Sequence, residues 1–170
     1  MMSTFPPMVI GGVVITSLSF LLHIIAFSTT YWYTFGDVIH MGLWKSCYQS
    51  KGVEACSYYT ELPVSDAHLI AAAVLESLAL VAFVVAVICA FLKMFVLKEK
   101  GNMFAITGVF NLIAGEFALI GTIVFATESY GSITMDSSKF HYSFGLCIVG
   151  GIGGIFSGIV FLVAWRWWKN

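Results

Sequence analysis

Four long apolar runs divide this chain, and they constrain its fold more than any other feature of the sequence. The runs cover residues 8–28, 67–92, 103–126 and 143–165. Each has 21 to 26 residues, and a helix needs about 20 residues to cross the hydrocarbon core of a bilayer. Because 59% of the chain is hydrophobic and only 10% is charged, the sequence predicts an all-α membrane protein, a bundle of four transmembrane helices.

The segments between the runs leave no room for a separate soluble domain, so residues 1–170 are predicted to form a single tetraspan domain. Its loops would be residues 29–66 and 127–142, and its short turn residues 93–102. The small residues at 26 and 28 also suit a signal-peptidase site. However, no Lys or Arg precedes the first run, which is longer than an ordinary signal core, so the sequence favours a retained helix.

Basic residues are concentrated on one side of the predicted bundle. The turn and the C-terminal end hold five bases against one acid, whereas the two loops hold three bases against six acids. The positive-inside rule therefore predicts that both termini and the turn are cytosolic and that the two loops lie outside. We expect a multi-pass protein of the plasma membrane. The five bases are Lys93, Lys98, Lys100, Arg166 and Lys169.

Cys47 and Cys56 fall in the first loop, on the side of the membrane where disulfides persist. Residues 50–52 between them carry a turn signal, and the flanks at 38–44 and 55–59 are rich in β-branched and aromatic residues. The sequence predicts a hairpin joined by a disulfide, which would be stabilised by about 2.7 kcal/mol in the chain-entropy model. No ligand cluster at zinc-like spacing accompanies the pair, so no metal is expected.

Small residues recur along the predicted helices at spacings that favour close packing. Gly150, Gly154 and Gly158 repeat every fourth residue, and Gly108 and Gly115 lie within one stripe of the third helix. Lipid tails are as apolar as leucine side chains, so helices associate in membranes through close backbone approach and polar contacts. We expect these glycines to pack the bundle; self-association through the glycine ridge is the alternative.

Glu76 and Glu116 each lie about ten residues inside a predicted helix. An acid at the bilayer centre costs roughly 2.5–3.5 kcal/mol on insertion scales, so each is expected to form structural hydrogen bonds. An ion or proton site is the alternative for both. Glu116 projects away from the side of its helix that carries Gly108 and Gly115, which suggests a second contact surface.

Enzymatic chemistry has little support in the sequence. It contains no nucleophile elbow, phosphate loop or metal-binding helix motif. The four histidines, His23 among them, are expected at surfaces or interfaces rather than as ligands. The basic turn is too short to bind nucleic acid. We therefore predict no catalytic residues, no cofactor, no metal, no small-molecule substrate and no nucleic-acid partner.

The first loop carries a short motif that resembles a known superfamily. Trp32, Gly42-Leu43-Trp44, Cys47 and Cys56 match the W…GLW-x-x-C…C signature of the claudin and peripheral myelin protein superfamily. The stretch FAITGVFNLIAG at 104–115 and the Ser143-Phe144 pair are similar to its branch of peripheral myelin, epithelial membrane and lens fibre membrane proteins.

This resemblance implies a non-enzymatic protein that acts in cell–cell contact, junctional organisation or membrane organisation. The part that carries this function would be a disulfide-stapled extracellular sheet from the first loop, joined by a strand from the second loop. Besides the lipid bilayer, its partners would be lateral or trans proteins, including a second copy of the chain. Two alternatives stay open: a paracellular barrier or pore, and an auxiliary subunit of an ion channel or receptor. Pore-forming claudins often carry a charge where this chain has Ser57.

Overall fold

A computed structural model describes residues 7–36, 38–50, 52–59, 67–97, 101–127, 129–130, 133–134 and 137–169. Four helices are long and apolar enough to cross a membrane. They are α1 (Pro7–Ser28), α2 (Ala67–Phe95), α3 (Asn102–Ala126) and α4 (Tyr142–Lys169). The predicted four-helix membrane architecture is therefore confirmed. We call the end of the bundle formed by Ser28, Ala67, Ala126 and Tyr142 the sheet end.

Several charged residues used to predict the orientation lie outside the described residues, so the orientation itself stays a prediction. They are Asp37, Lys51, Glu61, Asp66, Lys98, Glu99, Lys100, Glu128 and Asp136.

Two helices extend further than the apolar runs predict. Helix α2 ends at Phe95 rather than at residue 92, and α4 ends at Lys169 rather than at residue 165. Lys93, predicted in the turn, is instead 1% exposed within α2. Its Nζ lies 4.7 Å from the Phe104 ring centre and 4.5 Å from that of Trp168. Cation–π contacts of this kind offset the loss of water around the ammonium group, which lets both helices continue past their apolar runs.

The glycine ridge of α4 approaches all three other helices of the same chain. A Cβ atom added at Gly150 would lie 3.1 Å from the Ser19 carbonyl oxygen of α1. One added at Gly154 would lie 2.9 Å from the Phe83 ring of α2, and one at Gly158 would lie 2.9 Å from the Gly108 carbonyl oxygen of α3. Because the missing side chains leave the helices this close, the ridge faces the interior of the bundle.

Polar contacts join three helices in the middle of the bundle. The Thr16 and Ser157 hydroxyls lie 2.5 Å apart, and Ser157 also lies 3.0 Å from the carbonyl oxygen of Gly12. Asn111 on α3 donates its side-chain amide to Thr16 across 3.2 Å. All of these groups are buried, so the hydrogen bonds satisfy polar atoms that lipid cannot.

An antiparallel sheet follows α1, with four strands in sequence order. The strands are β1 (Tyr33–Phe35), β2 (Ile39–Met41), β3 (Lys45–Ser50) and β4 (Val53–Tyr58). The β3–β4 turn contains Gly52, whose φ of 81° favours glycine. The predicted hairpin exists, but the flank assigned to residues 38–44 forms β2 and its connection. The partner of β4 is β3, which carries Cys47.

The described residues of the second predicted loop do not add a strand to this sheet. Its strands β5 (Ser129–Tyr130) and β6 (Ile133–Thr134) pair only with each other in the described part of the chain. Contact with the main sheet is instead an isolated bridge between Tyr33 and Phe140. The Phe140 ring stacks on Phe144 of α4 at 4.1 Å between ring centres, so this segment is fixed to the bundle by aromatic packing.

Candidate functional site: the stapled sheet and the polar cluster beneath it

Trp32 fixes the sheet to the end of α1. Its indole N–H donates to the carbonyl oxygen of Ala26 at 2.7 Å, and the side chain is completely buried. The ring lies 5.0 Å from the Phe125 ring of α3 and edge-on to Phe144 of α4. The last four carbonyl groups of a helix have no partner within it. Trp32 satisfies one of these carbonyls while joining three helices.

Trp44 satisfies the next carbonyl of the same helix end. Its indole N–H donates to the carbonyl oxygen of Phe27 at 3.1 Å, and its ring lies edge-on to the Phe27 ring at 5.0 Å. Unlike Trp32, Trp44 is 40% exposed. The two signature tryptophans therefore cap adjacent carbonyls of α1, one from inside the bundle and one at its surface.

Gly42 and Leu43 allow the sheet to lie directly against the end of α1. A Cβ atom at Gly42 would lie 2.7 Å from the Thr29 carbonyl oxygen, so a larger residue would displace the chain. The Gly42 carbonyl also accepts a hydrogen bond from the Tyr59 hydroxyl at 3.2 Å. Leu43 is buried beside Trp32 in the same apolar cluster. Each residue of the GLW motif therefore makes a contact that holds the sheet on the bundle.

The Cys47–Cys56 disulfide predicted from the sequence is present in the structure. The two cysteines are direct cross-strand partners on β3 and β4. Cys47 is buried, whereas Cys56 is exposed. The bridge therefore connects the part of the sheet that packs on the bundle to the strand that stands free of it.

The β3–β4 hairpin presents an exposed apolar face. Tyr48 lies opposite Ala55 and Ser50 opposite Val53, so these residues share one face of the hairpin. Tyr48 is 51% exposed and Val53 is 69% exposed. The same face also carries the Ser46–Ser57 pair. The other face carries the disulfide, the Gln49–Glu54 pair and the Lys45–Tyr58 pair, in which Tyr58 is 51% exposed. The Tyr48 face differs from the other by carrying exposed apolar side chains and no charged residue among the described positions, which is typical of an interaction surface.

Beneath the sheet, Glu76 is completely buried within a polar cluster contributed by all four helices. Its carboxylate accepts hydrogen bonds from the Thr122 hydroxyl and the Cys147 thiol, both at 3.2 Å. His23 Nδ1 lies 3.7 Å from the same carboxylate. Sequence analysis missed this cluster, and the expectation that His23 lies at an interface is wrong, because its ring is 0% exposed.

Depth along the helices points to only part of this cluster in the sequence, because Glu76 lies nine residues after the start of α2, or about 13–14 Å from the sheet end. His23 lies five residues before the end of α1, Thr122 four before the end of α3, and Cys147 five after the start of α4. All three positions are therefore about 6 to 8 Å from the sheet end at 1.5 Å per residue. Depth alone does not show which faces of the helices meet.

Glu116 is exposed on the surface of α3, in contrast to the buried Glu76. It has no hydrogen-bond partner among the residues that the structure describes. Gly108 and Gly115 on the same helix are buried against α4. The structural hydrogen bonding expected for Glu116 is therefore not seen within the described chain, and its role stays open.

The four spanning helices and the disulfide-bonded sheet between α1 and α2 define a tetraspan integral membrane protein. A family model described as the PMP-22/EMP/MP20/Claudin family matches residues 7–163. The chain therefore belongs to that family, which is generally non-enzymatic. A search of curated proteins gave no significant match. The resemblance to the superfamily is confirmed, and the closer similarity to the peripheral myelin branch stays a prediction.

Proposed function

We propose that this protein organises contacts between membranes by presenting its sheet on the outside of the cell. In this proposal it lies in the plasma membrane with both termini cytosolic, and it is enriched at cell–cell contacts. The observation that carries the proposal is the exposed, uncharged face of the β3–β4 hairpin, with Tyr48 in the middle of β3 and Val53 at the start of β4. Family membership supports a non-enzymatic role.

The hairpin has the properties that binding surfaces use. Tyrosine is enriched in interfaces because its large, rigid ring adds contact area and a hydroxyl at low entropic cost. The disulfide restrains the hairpin before it meets a partner, which lowers the entropy lost on binding. The Tyr48 face contains no charged residue among the described positions of β3 and β4. We infer that its partner is another apolar protein surface, with a second copy of this chain as the simplest case.

Replacing Tyr48 and Val53 with serine should abolish adhesion while leaving the protein at the cell surface. Truncating a hot-spot residue costs about 2 kcal/mol or more, so the loss of even one hot spot should weaken trans binding about 30-fold. The measurement is aggregation of non-adherent cells that express the protein, normalised to its surface level. The Cys47→Ser/Cys56→Ser variant should also aggregate less, because its hairpin is no longer restrained.

The matched control is Gln49→Ala/Glu54→Ala, which changes two exposed residues on the opposite face of the same hairpin. It should aggregate like wild type. Equal loss in both double variants, or normal aggregation by Tyr48→Ser/Val53→Ser, would contradict the proposal. Altered ion conductance across an expressing monolayer, without altered adhesion, would instead favour a paracellular barrier or pore.

A second candidate function is lateral association within the membrane, which the exposed position of Glu116 favours. A carboxyl group facing lipid is costly, and a polar or basic group on a neighbouring transmembrane helix would lower that cost. This arrangement suits an auxiliary subunit of a channel or receptor. We expect Glu116→Gln to reduce co-purification of membrane partners, whereas Glu116→Leu should abolish it.

The control for this test is Val109→Leu, which alters another exposed position of α3 while keeping it apolar. Its partners should be recovered as in wild type. Unchanged recovery of partners with Glu116→Leu would rule out lateral association through this position. That result would not bear on the proposed adhesive role of the β3–β4 hairpin.

A further inference from the structure

We propose that His23, Glu76 and Cys147 form a Zn²⁺ site that joins α1, α2 and α4 inside the bundle. The three side chains come from three different helices, and each is 0% exposed. Their potential ligand atoms all lie within 4.8 Å of one another. Imidazole nitrogen, carboxylate oxygen and thiolate sulfur are the three ligand types that zinc uses in proteins.

The spacing of the three ligand atoms fits a tetrahedral zinc ion. Usual zinc–ligand distances of roughly 2.0–2.3 Å imply ligand–ligand separations of about 3.4–3.6 Å. His23 Nδ1 lies 3.7 Å from Glu76 Oε2 and 3.7 Å from Cys147 Sγ. Cys147 Sγ lies 3.2 Å from Glu76 Oε2. Each separation requires a change of only about 0.4 Å or less to match those distances.

The surroundings hold His23 and Glu76 in orientations suited to a metal. His23 Nε2 lies 3.1 Å from the backbone carbonyl oxygen of Glu76, which can only accept a hydrogen bond. The proton of the neutral ring is therefore on Nε2, and Nδ1 keeps a lone pair directed at the other two ligands. Metal-binding histidines generally donate their second ring N–H in this way. The other carboxylate oxygen, Oε1, lies 3.2 Å from the Thr122 hydroxyl.

The charges of such a site also balance, which matters inside a membrane. A thiolate and a carboxylate supply two negative charges, a neutral imidazole supplies none, and Zn²⁺ supplies two positive charges. The bound centre is therefore neutral overall. Zinc binding releases the thiol proton and any proton on the carboxyl group, since these ligands coordinate in their deprotonated forms. The fourth coordination position is left for Oε1 or for one water molecule.

Burial of the cluster assigns the metal a structural role. Trp32 and Phe125, both completely buried, belong to the apolar cluster that contains Cys147. The ligands thus lie behind the packed layer that holds the sheet on the bundle. Three protein ligands are the number usual in catalytic zinc sites, but this cluster is sealed from any substrate, so the metal would stabilise the folded state through its ligands. A second grouping of potential ligands among the described residues, Cys47, Glu54 and Cys56, has its two sulfurs bonded to each other.

Cobalt and zinc titrations of the purified full-length protein in detergent micelles test this proposal. The protein is first stripped with a chelator, and no reductant is added, so that the Cys47–Cys56 bridge stays closed. Co²⁺ should produce a thiolate-to-cobalt charge-transfer band, which Zn²⁺ should then abolish. Zn²⁺ alone should raise the unfolding temperature. Both effects should be lost in Cys147→Ser.

The matched control is Cys89→Ser, the same substitution at the other free cysteine, which lies outside the cluster. It should keep both metal effects. Thr122→Val retains all three ligands but loses the hydroxyl beside Oε1, so its zinc affinity should fall by roughly 10- to 100-fold. This variant decides the matter if Cys147→Ser does not fold. Absence of the band in wild type, its persistence in Cys147→Ser, or unchanged affinity in Thr122→Val would overturn the proposal.

Discussion

Replacing Gly115 with alanine should separate α3 from α4 and lower the stability of the bundle. The new Cβ atom would lie 2.6 Å from the Gly151 carbonyl oxygen and 2.8 Å from the Ile155 backbone nitrogen. Both are backbone atoms, so rotation of a side chain cannot relieve the clash. Overpacking of this kind costs typically 1–3 kcal/mol. The penalty matters more in lipid because close packing is itself what holds transmembrane helices together.

The measurement is the midpoint of thermal or denaturant-induced unfolding in micelles. Gly145→Ala is the matched control, because a Cβ atom added there meets nothing within 4 Å. That variant should be as stable as wild type or slightly more stable, because alanine is roughly 1 kcal/mol more favourable than glycine inside a helix. Equal midpoints for the two alanine variants would show that the α3–α4 interface tolerates the extra carbon.

The helices were predictable because their length and apolarity follow directly from the thickness of a bilayer. The ends of the helices were less predictable. The sequence predicts that Lys93 lies in the turn, yet its ammonium group contacts the rings of Phe104 and Trp168. Those rings come from α3 and α4, at positions that no local pattern around Lys93 reveals. Helix α2 therefore continues through Lys93, although a charged residue after an apolar run predicts the end of a membrane-spanning helix.

Periodicity identified the small-residue faces but not their partners. Gly150, Gly154 and Gly158 form one ridge in sequence, whereas in the structure they approach α1, α2 and α3 respectively. Likewise, the turn signal and the cysteines located the hairpin, but the strand opposite β4 begins at Lys45, after the flank that the residue types favour. The flank at residues 38–44 instead supplies β2, which pairs with the other edge of β3, and residue types alone do not show which strands are neighbours.

The buried cluster shows the same limit for site residues. Glu76 is visible as an unusual acid in an apolar run, but the groups that contact it come from the three other helices. His23 and Cys147 are separated by 124 residues. Each reads as an isolated polar residue within an apolar helix. Only the bundle geometry brings them within reach of one carboxylate, which is why the sequence predicts no metal there.

Replacing Trp32 with alanine should detach the sheet from the bundle and cause the largest loss of stability among the signature residues. The side chain is 0% exposed and contacts Phe125 and Phe144. Removal of a buried tryptophan typically costs 3–5 kcal/mol, because the surroundings fill the cavity only partly. The Ala26 carbonyl also loses the shorter of its two side-chain hydrogen bonds, the one from Trp32 at 2.7 Å, and keeps only the bond from the Thr29 hydroxyl at 3.3 Å.

Two measurements separate loss of the sheet from loss of the whole fold. Limited proteolysis should cut Trp32→Ala within the sheet under conditions that leave wild type intact, while circular dichroism should retain the signal of the four helices. Trp44→Ala is the comparison, since it removes the same side chain from a position that is 40% exposed and also caps α1. Its expected loss is smaller, because less apolar surface returns to solvent or lipid.

Trp32→Phe isolates the contribution of the indole N–H, since it keeps an aromatic ring against Phe125 and Phe144 but removes the donor to Ala26. We expect it to lose more than the 0.5–1.5 kcal/mol of an ordinary hydrogen bond, because the smaller ring leaves a gap and the Ala26 carbonyl keeps only the longer bond from the Thr29 hydroxyl, at 3.3 Å. If Trp44→Ala destabilised the protein more than Trp32→Ala, the sheet would be held chiefly at the bundle surface. The capped carbonyl at Ala26 would then be a consequence of sheet docking rather than its cause.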